Sequence, residues 1–349
     1  MRIAIISHGA SGGGSERVAT ILANYLAECG NEIYFLAVHS KEREYFLRED
    51  IHYKYIDIGR TIKPFRLCKR AKVLKEYLMD NSIETMVSFI YSECLGAFWL
   101  RNIKKIYSLR NDPHRTPKTE LKIIKILYKY ADAVVFQTED AKAYFDETIR
   151  NHGIVIPNPI KPNLPTWDEK HSEKTIIAAG RLSKQKNFSI LLEAFAAFVK
   201  KFPDYKLSIC GEGKLEYELR HKAKELGIEN KVSFEGHVTD LHERMSKAQI
   251  YISSSDYEGM SNSMLEALAI GIPAICTDCP VGGARMFITD GENGFLTKVG
   301  HANDMFNHMV MLAENEKLRK QFSDESKKIR EQLDASVVCK KWKTIIEGC

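Results

Sequence analysis

Four prolines fall within nine residues, Pro157-Asn-Pro159-Ile-Lys-Pro162-Asn-Leu-Pro165, and they separate two stretches that each alternate strand and helix. Proline at that density continues neither a helix nor a central strand. Before the break, strands read at Ile3–Ser7, Ile33–Val38, Tyr53–Ile58, Thr85–Phe89, Ile106–Leu109, Ala133–Gln137 and Ile154–Ile156. Helices read at Glu16–Cys29 (stopped by Gly30), Arg66–Met79, Thr119–Tyr130 and Ala141–Ile149. After the break come strands at Thr175–Ala179, Lys206–Cys210, Val232–Glu235, Ile250–Ile252 and Ala274–Cys276. The helices there read at Ser189–Lys200, Glu216–Leu226, Leu241–Ser246 and Ser261–Ile270, with a short one near Ala284–Ile288 and more to the end. Strands separated by helices of this length specify parallel α/β sheets. Two such halves leave an interdomain cleft, a common place for a ligand.

At 349 residues each half can bury its own core. No window reaches the ~18 uninterrupted apolar residues of a membrane span. The first strand begins at once, which leaves no room for a signal peptide. The eight cysteines are scattered, as in a protein of a reducing cytoplasm. Cys276-x-x-Cys279 lacks a second pair at zinc spacing, so neither a metal nor a redox function is read from it. The net charge of +5 is uneven: residues 1–165 hold 25 Lys and Arg against 19 Asp and Glu, and the remainder is nearly balanced. The first half therefore expects an anionic partner. No nucleic-acid motif or aromatic interleaving accompanies the charge, so nucleic acid is not that partner.

The second half carries the densest chemistry. Between strands at Ile250–Ile252 and Ala274–Cys276 lies Glu258-Gly-Met-Ser-Asn-Ser-Met-Leu-Glu266, with one carboxylate in the loop and one inside the helix that Ser261 or Asn262 caps. Ligands of open parallel sheets sit beyond the carboxyl ends of the strands. A helix N-terminus there offers free N–H groups to a diphosphate, and the carboxylates can accept hydroxyl hydrogen bonds. Gly180-Arg181-Leu-Ser-Lys184-Gln-Lys186-Asn187 follows the first strand of this half. Arg181 and Lys186 in this one loop suit the growing charge of a leaving diphosphate. In the first half, Ser7-His-Gly-Ala-Ser-Gly12-Gly13-Gly14-Ser-Glu-Arg17 lets backbone approach a phosphate, although it fits neither the dinucleotide fingerprint nor a Walker A sequence.

Taken in order, Gly13-Gly-Ser-Glu-Arg-Val18, Ala179-Gly-Arg-Leu182 with Lys186-Asn187, Cys210-Gly-Glu-Gly213, Phe234-Glu-Gly-His-Val238 and the pair Glu258-x7-Glu266 resemble the family 4 retaining glycosyltransferases over nearly the whole chain. The resemblance implies the GT-B fold, two Rossmann-like α/β domains facing each other across a cleft. It implies an acceptor domain at 1–163, a nucleotide-sugar domain at 164–330 and a final helix at 331–349 that packs back on the first. It implies that Arg181 and Lys186 bind and stabilise the donor diphosphate, and that Glu258 meets the transferring sugar with Gly259, Met260 and Ser261 nearby. Glu266 would hold the ribose, His237 and Val238 the base, and Gly13 and Gly14 the diphosphate from the other side. As in that family there is no Asp-x-Asp motif, so no cofactor or metal is expected and cations take the metal's place.

The chain departs from the pattern twice. Where relatives carry a histidine after the strand Ile106–Leu109, it reads Arg110-Asn111-Asp112-Pro113-His114, which puts Arg110 or Asn111 on the acceptor side. Met286 stands where relatives often have Glu. With no obvious carboxylate nucleophile, same-face substitution is expected, the leaving phosphate taking the acceptor's proton. A nucleotide-sugar epimerase or a sugar phosphorylase on the same fold, or a non-catalytic nucleotide-sugar-binding protein, are the other classes. The basic run Lys63, Arg66, Lys69, Arg70, Lys72 and Lys75, and Lys118, Lys122, Lys125 and Lys129 on one helix face, suit an anionic leaflet. The expectation is a cytoplasmic enzyme, peripheral on the inner face of the membrane. It would take a UDP-hexose or UDP-N-acetylhexosamine and act on a glycan acceptor, often lipid-linked, of bacterial surface polysaccharide or lipopolysaccharide.

Overall fold

The computed structural model describes residues 1–59, 63–91 and 94–348, the side chains of Lys63, Pro64 and Cys94 excepted. The chain forms two compact units, one made of Met1–Pro159 with Ala335–Cys349 and the other of Ile160–Asp334.

Unit 1 is built on seven strands: β1 (Arg2–Ser7), β2 (Glu32–Ala37), β3 (His52–Tyr55), β4 (Thr85–Ser88), β5 (Lys104–Ser108), β6 (Ala133–Phe136) and β7 (Gly153–Val155). They lie in the order β3-β2-β1-β4-β5-β6-β7, with every pairing parallel. The order reverses between β1 and β4, which makes the carboxyl ends of those strands the switch point of this sheet. Ile3–Ile6, Met86, Val87, Ile106 and Val134–Phe136 are buried, as expected of strands covered on both faces. The helix Gly14–Glu28 begins in the glycine run and buries Val18, Leu22 and Leu26. The last helix, Ala335–Glu347, packs against it and places Trp342 in a stack on Phe89, ring centroids 5.7 Å apart.

Unit 2 holds β8 (Glu173–Ala179), β9 (Lys206–Cys210), β10 (Val232–Gly236), β11 (Ala248–Ser253), β12 (Ala274–Thr277) and β13 (Phe295–Thr297), in the order β10-β9-β8-β11-β12-β13, again all parallel. Its core gathers Ile176, Leu191, Phe195, Phe198, Leu207, Ile250, Ile275 and Phe322. The proline-rich segment is fastened to this unit from Ile160 onward. Ile160 N donates to Leu333 O (2.9 Å) and Trp167 Nε1 to Ala248 O (2.8 Å). The Arg330 guanidinium donates to Pro165 O at 2.6 Å.

Two helices differ from expectation. In place of one helix over 141–149 there are two short ones, Glu139–Ala143 and Glu147–Arg150. Thr138 caps the first and Asp146 the second, and each accepts from a backbone N–H three residues on, so the second cap restarts what periodicity had joined. The segment 284–288 forms hydrogen-bonded turns that return to Ala284 O and is not a helix.

Candidate active site

At the carboxyl edge of the unit 2 sheet, the loop after β8 is clamped to the loop after β11. Asn187 Nδ2 donates to Asp256 Oδ1 (2.7 Å), Asp256 N to Gln185 O (2.8 Å) and Ser254 Oγ to Lys186 O (2.9 Å). Asn187 stands in the left-handed region (φ 40°), which asparagine tolerates, and its side chain also caps the helix Phe188–Lys201. The clamp brings Lys186 Nζ to 2.5 Å from Glu258 Oε2. Ser255 Oγ (3.3 Å) and Gln185 Nε2 (3.4 Å) also donate to that carboxylate. The two charged side chains are only 15% and 20% exposed, so each is a charge largely withdrawn from water and compensated by the other. Arg181, in the same loop as Lys186, is exposed, and among the described residues it has no ion pair. A small pocket beside Glu258 is lined by Ser255, Ser261, Met264, Thr277 and Cys279.

Glycines let these loops approach one another. A Cβ on Gly211 (φ 137°) would sit 2.1 Å from Gly180 O. On Gly213 a Cβ would sit 2.3 Å from Leu182 O, and on Gly283 it would sit 2.5 Å from Gly259 O. Those neighbours are backbone and cannot turn aside, so the Cys210-Gly-Glu-Gly213 motif is a packing requirement of the loop that carries Arg181 and Lys186.

Glu258 and Gly259 lie before the helix Asn262–Ile270, and Glu258 is held through its backbone by Pro280 O (2.9 Å). Met260 and Ser261 are buried. Ser261 is at the N-cap position, but its hydroxyl meets Ser263 Oγ at 3.1 Å instead of a backbone N–H. Glu266 is 2% exposed, and His242 Nε2 lies 2.9 Å from its Oε2. His242, on the helix Leu241–Lys247, was not singled out by sequence; its distance of 24 residues from Glu266 matches no motif. His237 is exposed and its N–H donates to Glu212 (3.3 Å), while Val238 is half-buried next to it.

In unit 1, Gly13 takes the N-cap position of the helix Gly14–Glu28 with the Glu16 carboxylate against it; Gly14 is exposed. Asn111 is exposed. Arg110 is not: its guanidinium lies 4.8 Å from the Phe89 ring centroid, and its three nitrogens are buried. His114 is tied to the buried Asp112, whose carboxylate takes both its N–H (2.9 Å) and Nδ1 (2.8 Å). Met286 is partly exposed next to Arg285, which pairs with Asp278. Burial pushes the Cys276 and Cys279 thiols up to about 12, so neither is a thiolate at neutral pH. Among the described residues, no group of three or more His, Cys, Asp or Glu could hold a metal ion.

Comparison with known proteins bears on the family and the fold. Residues 161–329, the bulk of unit 2, match the family described as glycosyl transferases group 1. An uncharacterized glycosyltransferase of Haemophilus influenzae is 29% identical over 96% of this chain and 97% of its own length. A Campylobacter jejuni GalNAc-alpha-(1->4)-GalNAc-alpha-(1->3)-diNAcBac-PP-undecaprenol alpha-1,4-N-acetyl-D-galactosaminyltransferase is 24% identical over 99% of this chain and 98% of its own. Among solved structures, Anabaena HepE in complex with UDP and glucose superposes with a TM-score of 0.83 at 18% identity, covering both chains in full. Through residues 161–329 this chain is similar to the glycosyl transferases of group 1, and its two Rossmann-like domains are those of the GT-B fold.

Proposed function

We propose that the chain is a retaining, metal-independent enzyme that moves a hexose or N-acetylhexosamine from a UDP-sugar to a glycan acceptor, one carried on lipid. The observation that carries this reading is the Lys186–Glu258 pair, mostly withdrawn from water, whose lysine shares its loop with the exposed Arg181. In the free chain the two side chains satisfy each other. When a nucleotide-sugar enters, Lys186 and Arg181 turn to the diphosphate and Glu258 takes hydroxyls of the sugar, so each charge gains a partner on the substrate. As the bond from the sugar's anomeric carbon to the phosphate oxygen breaks, the two cations stabilise the leaving diphosphate. The acceptor hydroxyl bonds to the same face of that carbon and gives its proton to the departing phosphate oxygen. No carboxylate nucleophile and no metal enter the sequence. Glu266, oriented by His242, accepts the ribose hydroxyls, and His237 and Val238 flank the base.

The names of relatives fit this reading. The Campylobacter relative is named for a PP-undecaprenol-linked glycan, and the Anabaena structure was solved with UDP and glucose. The acceptor lipid calls for a peripheral position on the inner leaflet. Lys118, Lys122 and Lys129 are exposed on one helix together with Ile126, and Tyr130 follows at its end. On the helix Lys63–Asp80, Arg66 and Lys69 are exposed beside Phe65; the Lys63 side chain lies outside the described residues. Among the described residues, no helix is long and apolar enough to cross a membrane. The test is a thermal-shift screen against UDP-, GDP- and ADP-sugars, followed by the anomeric configuration of the transferred product. Stabilisation by a UDP-sugar and a retained linkage are expected. An inverted linkage, or isomerised sugar from donor alone, refutes the reading.

A further inference from the structure

Arg110 follows β5 by two residues, and its side chain folds back into unit 1. The guanidinium lies over the rings of Phe89, at 4.8 Å from the centroid, and of Trp342, at 6.0 Å. Its Nε, Nη1 and Nη2 are all shielded from solvent, and among the described residues none has a hydrogen-bond acceptor. The indole N–H of Trp342 is likewise buried without one among the described residues. No carboxylate among the described residues pairs with Arg110. This is an unusual state for a group with five donors, since buried charges are ordinarily paired and buried polar groups bonded. The attraction of two ring faces replaces only part of that. Burial pushes the guanidinium down to about 9, so it still carries its charge near neutral pH. The residue as a whole remains partly exposed at the carboxyl edge of the sheet while its charged end is buried. The same edge holds Ser7, at the end of β1, with a buried hydroxyl that has no partner among the described residues.

We propose that Arg110 is a stored anion receptor, which leaves its aromatic seat to bind a phosphoryl group of the acceptor. A guanidinium fork matches phosphate oxygens in a bidentate way, and such an anion supplies what the seat lacks. Unit 2 has its own cations, Arg181 and Lys186, for the donor diphosphate, so the phosphate at Arg110 is a second one. The word acceptor rests on the glycosyl-transfer reading, whereas the anion site rests on the orphaned guanidinium alone.

Trp342 reports on the seat. Intrinsic tryptophan emission of the full chain is followed during titration with inorganic pyrophosphate, with farnesyl diphosphate as an isoprenyl diphosphate, and with UDP. A saturable change is expected with the first two. It is absent in Arg110→Met and in Trp342→Phe, each checked for folding by circular dichroism. Arg110→Lys, which keeps the charge but not the fork, binds at least tenfold more weakly. If Arg110→Met responds as the parent does, or the parent does not respond, the proposal is overturned. If UDP gives the same Arg110-dependent change and competes with pyrophosphate, the site belongs to the donor and the acceptor assignment falls. A UDP thermal shift that is absent from both parent and variant, with the pyrophosphate response intact, counts against glycosyl transfer and leaves the anion receptor standing.

Discussion

Lys186 and Glu258 are tested by a double-mutant cycle of Lys186→Met, Glu258→Gln and both together. At 2.5 Å the pair is closer than most surface ion pairs, and each side chain is at least four-fifths buried. With an effective dielectric of about 20 the gross attraction is roughly 6–7 kcal/mol. Desolvation offsets about half of it or more, because two charges have left water. Removing one partner strands the other charge with only Ser255 and Gln185 near the carboxylate, so each single change costs about 3 kcal/mol. Removing both strands nothing, and the double change also costs about 3 kcal/mol, which gives a coupling of about 3 kcal/mol. Urea denaturation at pH 7 measures the four stabilities. Single-turnover kinetics on the same proteins should show kcat lowered roughly 10²–10³-fold by either single change. Effects on stability that add within about 0.5 kcal/mol would refute the coupling. Unchanged kcat in Glu258→Gln would remove the pair from the chemistry.

Two further outcomes follow from packing and from titration. Gly211→Ala places a Cβ 2.1 Å from Gly180 O in a backbone region closed to alanine. It should destabilise unit 2 by at least about 2 kcal/mol and weaken UDP-sugar binding, which calorimetry checks. His308 is half-buried against Phe295 (centroids 4.1 Å apart), and burial holds its pKa below the usual histidine value. The unfolded chain therefore takes up that proton first, so stability is fully present above about pH 6.5 and falls as pH drops toward the folded value. Urea midpoints at pH 7.5 and 5.5 should show this loss in the parent and not in His308→Phe.

The alternation of strands and helices was legible because both sheets are parallel and covered, which writes apolar runs directly into the chain. The paired loops at Lys186 and Glu258 were legible as motifs, but their clamp was not. It depends on Asn187 reaching Asp256, 69 residues on, through a left-handed backbone that only coordinates reveal. His242 escaped notice because its partner Glu266 is set by the packing of two helices. The helix expected over 284–288 failed because its apolar spacing reflects a turn anchored by the buried Ala284 and Ile288, with Gly283 set close against Gly259 O. Arg110 was placed on the correct strand end, yet its withdrawal between Phe89 and Trp342 joins residues more than two hundred positions apart. No local pattern encodes such a seat.

The return of Ala335–Glu347 to unit 1 makes that unit discontinuous in sequence while unit 2 is continuous. On the ribosome, the order of completion is then inverted. Unit 2 has all its strands and helices once Asp334 has emerged, whereas unit 1, begun first, keeps the Phe89 face and the helix Gly14–Glu28 uncovered until Trp342 arrives. The earlier lobe is thus the later to close.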